Sequence, residues 1–304
     1  MELYIKWYYG YQNFGDELLL LWLINFFVNR YKPTCIYIES WNKDFLSSRI
    51  SKNQSYINYD ISQIQITTKR QYISQYYRFR NCHKIIWWWE CISPVAKFPN
   101  WWWMYIARFW LDIMRSNYSI CWGIGTPNSS SKLLYKILLW RAKSIIVRDL
   151  ESQNIWLIYN NKTKLYHDFA IDIINIYQNK KNNLTDKSII KNKYILLNLK
   201  KSEYNQENLS LIKNFIQKYP NHKYIYFANF IWEDDDISEL LAKDLGIKIQ
   251  NYDRKDKNLD EILGLFDMSD GGWWVRLHFL LVLKMLWKNY EYIYYQEKIK
   301  KIIW

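Results

Sequence analysis

A mostly apolar stretch, Leu3 to Tyr9 with Lys6 within it, opens the chain and stops at Gly10. After Gly15 the spacing changes, and Leu18, Leu21, Ile24 and Phe27 recur three and four positions apart. A short apolar run bounded by glycine predicts a buried strand, and the wider period predicts a helix. The alternation repeats. Strands are predicted at Thr34–Glu39, His83–Ile86, Tyr118–Gly125 and Ser144–Asp149, and helices at Tyr72–Arg80, Met104–Met114 and Ser130–Ala142. Between Ser40 and Thr68 the pattern is polar and irregular. The most polar stretch, 177–193, reads as a linker. A second series follows, with strands at Tyr194–Leu199, Lys223–Phe227, Gly246–Ile249 and Tyr290–Tyr295 and helices at Asn208–Tyr219, Leu259–Phe266 and Phe279–Leu286. Strands alternating with helices predict parallel sheets. The expected fold is α/β, with two Rossmann-like doubly wound domains, 1–176 and 194–304, facing a cleft. Sheets of this kind bind ligands at the C-terminal ends of their strands.

Composition changes the picture in two ways. The charge of +13 in 304 residues suits an anionic partner such as a phosphate substrate, a membrane surface or nucleic acid. Much of the lysine is scattered rather than clustered, and nothing reads as a helix-turn-helix, zinc finger or RNA-recognition motif, so nucleic acid is not the expected partner. Cys35, Cys82, Cys91 and Cys121 show no C-x-x-C spacing, and reduced thiols are expected. The longest apolar run, Leu18–Val28, falls short of the ~20 residues of a spanning helix. With no signal peptide ahead of the first strand, the expectation is a soluble cytoplasmic protein, and peripheral contact with the inner face of the membrane fits the basic charge.

The chemistry sits in spaced motifs. Tyr8-Tyr-Gly-Tyr-Gln-Asn-Phe-Gly-Asp-Glu17 places small turns at Gly10 and Gly15 and a helix capped by Asp16, an arrangement that aims backbone N–H groups at an anion. Tyr118 to Gly123-Ile-Gly125 is a strand running into a glycine turn. Val147-Arg148-Asp149 follows a strand, with Ser152 three residues on. Trp274-Val-Arg276-Leu-His278 opens an apolar helix, and Tyr295-Gln-Glu-Lys298 ends a strand. Glu233-Asp-Asp-Asp236 invites a metal, but its place ahead of Ile237, Leu240 and Leu241 reads as an acidic helix N-terminus. His83, His167 and His222 have no motif around them and read as ordinary core or surface residues.

Taken together these motifs resemble the polysaccharide pyruvyl transferase family over nearly the whole chain. The resemblance implies a GT-B-like architecture and transfer of a pyruvyl group from phosphoenolpyruvate, as a ketal, to a sugar of a cell-surface or cell-wall polysaccharide precursor. It implies a sugar or lipid-linked saccharide acceptor on the N-terminal side, phosphoenolpyruvate on the C-terminal side, and no metal or further cofactor. His278 becomes the general acid and Asp16 the base or a sugar ligand, with helix capping as the plainer role for Asp16. Arg148, Arg276 and Lys298 become anion ligands; for Arg148 a structural salt bridge is the plainer role. Gly10, Asn13, Gly15, Gly123 and Gly125 line the substrate loops. Phe169 stands where the family carries proline in an Asp-Pro-Ala segment, so Asp168 receives no role. A glycosyltransferase using a nucleotide sugar, or a non-catalytic basic protein that binds polyanions, are the competing readings. A donor screen separates the first, and salt-steep DNA binding that survives loss of His278 marks the second.

Glycine is scarce, at 8 residues against 18 tryptophans. Trp7, Trp88, Trp89 and Trp122 occupy positions where the family has glycine, and Trp287 stands where a helix C-cap glycine belongs. Tryptophan cannot supply the positive-φ turns or close backbone approach of such loops. The expectation is a gene that uses UGA for glycine, read with a table in which UGA is tryptophan. The end at Trp304 comes sooner than in the family, and a C-terminal truncation is expected.

Overall fold

The structure is a computed structural model that describes residues 1–9, 12–79, 81–87, 118–121, 140–183, 193–229 and 236–292. It divides into two compact units that no single cut of the chain separates. The first comprises Met1–Gly10, Phe26–Ser47 and Asn58–Asp168, and the second Tyr11–Asn25, Ser48–Ile57 and Phe169–Trp304.

The first unit is built on seven parallel strands: β1 (Glu2–Tyr9), β2 (Cys35–Ser40), β3 (Ile64–Thr67), β4 (His83–Trp87), β5 (Tyr118–Cys121), β6 (Ser144–Val147) and β7 (Thr163–Leu165). Their order is β3-β2-β1-β4-β5-β6-β7. The inner strands are mostly apolar, and Ile5, Ile38, Ile85, Ile120 and Ile145 are all buried, as a sheet covered on both faces requires. His83 lies in this core with Nε2 2.9 Å from Ser119 Oγ. Burial, aided by the charges of Arg30, Lys143 and Lys84, pushes its pKa down to about 4.

Five parallel strands form the second sheet: β8 (Tyr194–Leu197), β9 (Lys223–Tyr226), β10 (Ile249–Asn251), β11 (Gly271–Trp274) and β12 (Asn289–Tyr292), in the order β10-β9-β8-β11-β12. In both sheets the strand order reverses beside the first strand, the doubly wound arrangement, and in the second sheet the switch point lies between β8 and β11. One face is filled by α7 (Gln206–Ile216) and α8 (Ile237–Leu245), whose Leu209, Ile212, Phe215, Ile216 and Leu241 pack on Ile195, Leu197, Tyr224 and Tyr226. Before these come α1 (Phe14–Tyr31), α2 (Lys43–Lys52), α3 (Lys69–Ser74), α4 (Tyr76–Phe79), α5 (Leu150–Leu157) and α6 (Ala170–Asn183); α9 (Leu259–Met268) and α10 (Leu277–Met285) follow them. Among the described residues no helix is long and apolar enough to cross a membrane.

Several expectations change. Residues 177–183, read as linker, are the last turns of α6, because Ile173, Ile174 and Tyr177 repeat at helical spacing and are buried. The rest of that stretch, 184–192, lies outside the described residues. The irregular region after Ser40 contains α2 and the edge strand β3. β11 hides in Gly271-Gly-Trp-Trp274, where glycine is enforced by packing. A methyl group on Gly271 would meet the Asn289 carbonyl oxygen at 2.4 Å, and one on Gly272 would meet Leu283 Cδ1 at 2.8 Å.

Two of the described tryptophans stand in opposite settings. Trp22 is buried, stacks on Phe169 at 3.7 Å and donates from Nε1 to Asp172 at 2.6 Å, so the fold uses its whole side chain. Trp287 is 91% exposed and sits just past α10 with φ +56°. Its N–H donates to the Lys284 carbonyl (3.1 Å) and that of Lys288 to Leu283 (3.0 Å), the paired bonds of a left-handed helix stop. Gly246 ends α8 in the same conformation, at φ +64°. Trp88, Trp89 and Trp122 lie outside the described residues.

Candidate active site

The first turn of α1 and the first turn of α10 meet inside the second unit. Phe14 enters an aromatic cluster with Phe227 (5.4 Å) and Phe266 (6.0 Å), and Phe279 packs on the same two rings at 5.5 and 4.4 Å. These two anchors are the chain neighbours of Gly15 and His278. The contact is so close that a methyl group on Gly15 would stand 2.1 Å from Nδ1 of His278. Gly15 was expected in a turn. It is instead the second residue of α1, and what it supplies is room for the imidazole rather than a special backbone angle.

The cap is also reassigned. Asn13 Oδ1 accepts from the Gly15 N–H at 3.0 Å, and Asp16 lies one residue further on, inside the first turn. An asparagine directly before a helix suits this role because its side chain reaches the N–H two residues ahead. At the other helix, Arg276 is the residue before α10 in extended backbone (φ −90°, ψ 129°), and His278 is the second residue of α10. Two helix N-termini, each the positive end of a helix dipole, thus meet where Arg276 and His278 open α10.

A buried ionic cluster holds the α1 turn in place. Glu17 accepts from Arg254 Nη1 at 2.9 Å and from Arg49 Nε at 2.9 Å. Arg254 is fully buried and spends its other donors on backbone carbonyls: Nε on Ala228 (3.1 Å), Nη2 on Asn229 (3.0 Å) and on Gln12. Gln12 is thereby held at φ +55°. The Phe14 N–H completes the frame by donating to the Asn229 carbonyl at 2.9 Å. Burial alone would raise the Glu17 carboxyl, but the guanidiniums of Arg254 and Arg49 outweigh it and hold the group below its ordinary range. Removing one partner from such a buried set costs roughly 3–5 kcal/mol, because the charge left behind has no solvent. Glu17 ends the first motif, but Arg49 and Arg254 belong to none, and a lone arginine in the charged loop Asp253–Lys257 gives no sequence signal of its burial.

Of the other sequence-derived candidates, Arg148 belongs to the first unit. It follows β6, and its Nη1 lies 3.4 Å from Oδ2 of the fully buried Asp168, the residue that received no role. Asp149 caps α5 by accepting from the Ser152 N–H at 2.8 Å. Gly10, Gly123, Gly125 and Lys298 lie outside the described residues, as do residues 233–235. Asp236 precedes α8 without a side-chain cap bond. Among the described residues no group of three or more His, Cys, Asp or Glu is placed to hold a metal ion.

Solved structures share this fold. UDP-GlcNAc 2-epimerase from Methanocaldococcus jannaschii aligns with TM-score 0.58 at 11% identity, over 96% of this chain and 83% of that one. The UDP-GlcNAc 2-epimerase from Neisseria meningitidis bound to UDP-GlcNAc gives 0.53 at 13% identity, over 90% and 77%. A glycosyltransferase from Rickettsia africae gives 0.50 at 12% identity, over 96% and 78%. At such identities the likeness shows the fold alone: α/β, with Rossmann-like sheets of the GT-B kind. No curated protein sequence matches significantly. The sequence profile of the polysaccharide pyruvyl transferases matches residues 13–276, from the Asn13 cap of α1 to the arginine that opens α10, and the chain belongs to that family.

Proposed function

We propose that the protein transfers the pyruvyl group of phosphoenolpyruvate to two hydroxyls of one sugar, as a ketal, on a saccharide or lipid-linked saccharide of a cell-surface polysaccharide. The observation that carries this reading is the contact of Gly15 with His278, which brings two helix N-termini and Arg276 to one place. Phosphoenolpyruvate carries a phosphate and a carboxylate, and a guanidinium binds either in a bidentate way. His278, protonated beside the bound phosphate, gives its proton to the methylene carbon, which turns C2 into an oxocarbenium-like centre. A sugar hydroxyl attacks C2, and Asp16, one residue after Gly15, takes its proton. The bond from C2 to the phosphate oxygen then breaks. A second hydroxyl closes the ketal, so that the two hydroxyl protons restore His278 and leave with the phosphate. Asp16 also complements the α1 dipole, a role that does not compete with proton transfer.

Substitution separates the two roles. Arg276→Ala removes charge-assisted bonds worth about 1.5–3 kcal/mol each and should chiefly raise KM for phosphoenolpyruvate. His278→Gln should leave KM within a few fold and cut kcat by roughly 10²–10⁴. If His278→Gln raises KM and keeps kcat, the histidine is an anion ligand and this acid assignment fails.

A further inference from the structure

Two asparagines at the C-terminal edge of the second sheet have no part in the steps above. Asn198 directly follows β8, and Asn229 lies three residues beyond β9; they are 0% and 3% exposed. Their partners settle which way each carboxamide points. Asn198 Nδ2 faces the Phe227 carbonyl at 2.9 Å, and a carbonyl only accepts, so the nitrogen must be on that side. Asn13 presents an oxygen, because it accepts the Gly15 N–H, and Asn229 therefore turns Nδ2 toward it at 3.4 Å.

What remains is Oδ1 of each residue, buried and without a hydrogen-bond partner among the described residues. Neither backbone is free to turn in search of a donor. The Asn198 N–H donates to the Trp273 carbonyl at 3.1 Å, and the Asn229 carbonyl accepts from both Phe14 and Arg254. Buried acceptors left this way are few in native proteins and ask for an explanation. Here two stand at the edge where doubly wound sheets bind ligands, Asn198 at the switch point and Asn229 against the α1 cap.

An amide oxygen accepts and cannot donate. It repels the deprotonated phosphate and carboxylate oxygens of phosphoenolpyruvate and is satisfied by O–H or N–H. We infer that Asn198 and Asn229 form a hydroxyl-accepting subsite that recognises the sugar acceptor, in the second unit rather than on the N-terminal side that the family resemblance implied. The inference rests on the pyruvyl-transfer reading for the identity of the hydroxyl-bearing ligand.

The test is equilibrium binding to the full chain, with phosphoenolpyruvate and with methyl glycosides of common hexoses and N-acetylhexosamines as separate probes. Asn229→Leu should weaken glycoside binding about five- to tenfold, the value of one lost hydrogen bond, and leave phosphoenolpyruvate within about twofold. Asn229→Ala and Asn198→Ala should act in the same direction, and they serve if the leucine variant does not fold. The subsite is overturned if phosphoenolpyruvate weakens in parallel, if neither ligand responds because water satisfies the oxygens, or if no glycoside binds the unaltered protein. Failure of phosphoenolpyruvate to bind, with glycoside binding still dependent on Asn229, would instead count against the proposed reaction and leave the subsite standing.

Discussion

Replacing Trp287 by glycine should make the protein more stable, although a large aromatic ring is lost. The residue sits past α10 at φ +56°, where the Cβ of an L-residue crowds its own backbone at a cost of about 1–2 kcal/mol. Its ring is 91% exposed, so little burial is forfeited when it goes. Glycine adds entropy to the unfolded chain, which offsets roughly 0.5–1 kcal/mol. The balance is a gain of about 0.5–1 kcal/mol, with both hydrogen bonds of the helix stop retained. Urea unfolding should show a higher midpoint at unchanged slope. Trp287→Ala relieves none of the backbone strain and should gain nothing, so equal effects of alanine and glycine would refute the reasoning. Trp22→Gly should do the opposite and lose roughly 3–5 kcal/mol by opening a cavity. The same logic extends to the gene. Codon 287 should be UGA and codon 22 UGG, and UGG at 287 would contradict the recoding.

The site and the core give further expectations. Gly15→Ala should leave the fold in place but displace the His278 imidazole, and turnover should fall by at least about a hundredfold, since a misplacement near 1 Å costs that much; a variant as active as the parent would show that this contact does not set the geometry. His83 makes the first unit acid-sensitive. The unfolded chain takes up a proton below about pH 6.5, whereas the folded histidine does so only near 4. Its contribution is therefore complete above pH 6.5 and is lost as the pH falls toward 4. Thermal melts of His83→Gln should show a shallower decline across that window, and an unchanged decline would place the acid sensitivity elsewhere.

The sequence made the inner strands legible because burial on both faces turns them into apolar runs, as in Tyr194–Leu197 and Ser144–Val147. Edge strands lack that pressure. Ile64-Gln-Ile-Thr67 is only partly buried and Thr163-Lys-Leu165 mostly exposed, and neither stands out from its surroundings. β11 was hidden for the opposite reason: the close approach of Asn289 and Leu283 requires glycines that carry no strand signal. In the site, Gly15 and His278 were legible through motif spacing, but their contact was not, since it joins residues 263 positions apart (278 − 15). Glu17, Arg49 and Arg254 come from three distant segments, and only the fold brings their charges together. Asn198 left a trace, a polar residue directly after an apolar strand, whose meaning depends on the Phe227 carbonyl it faces.

The central claim is that this chain moves a pyruvyl group from phosphoenolpyruvate to a sugar. The most direct measurement is an incubation of the protein, with glycine at Trp7, Trp88, Trp89, Trp122 and Trp287, with phosphoenolpyruvate and a panel of sugar acceptors, followed by proton NMR and phosphate release. The account predicts one phosphate released per new ketal methyl singlet, only when an acceptor is present, and loss of both signals in His278→Gln. Phosphate release without a ketal methyl, or turnover with a nucleotide sugar in place of phosphoenolpyruvate, would contradict it.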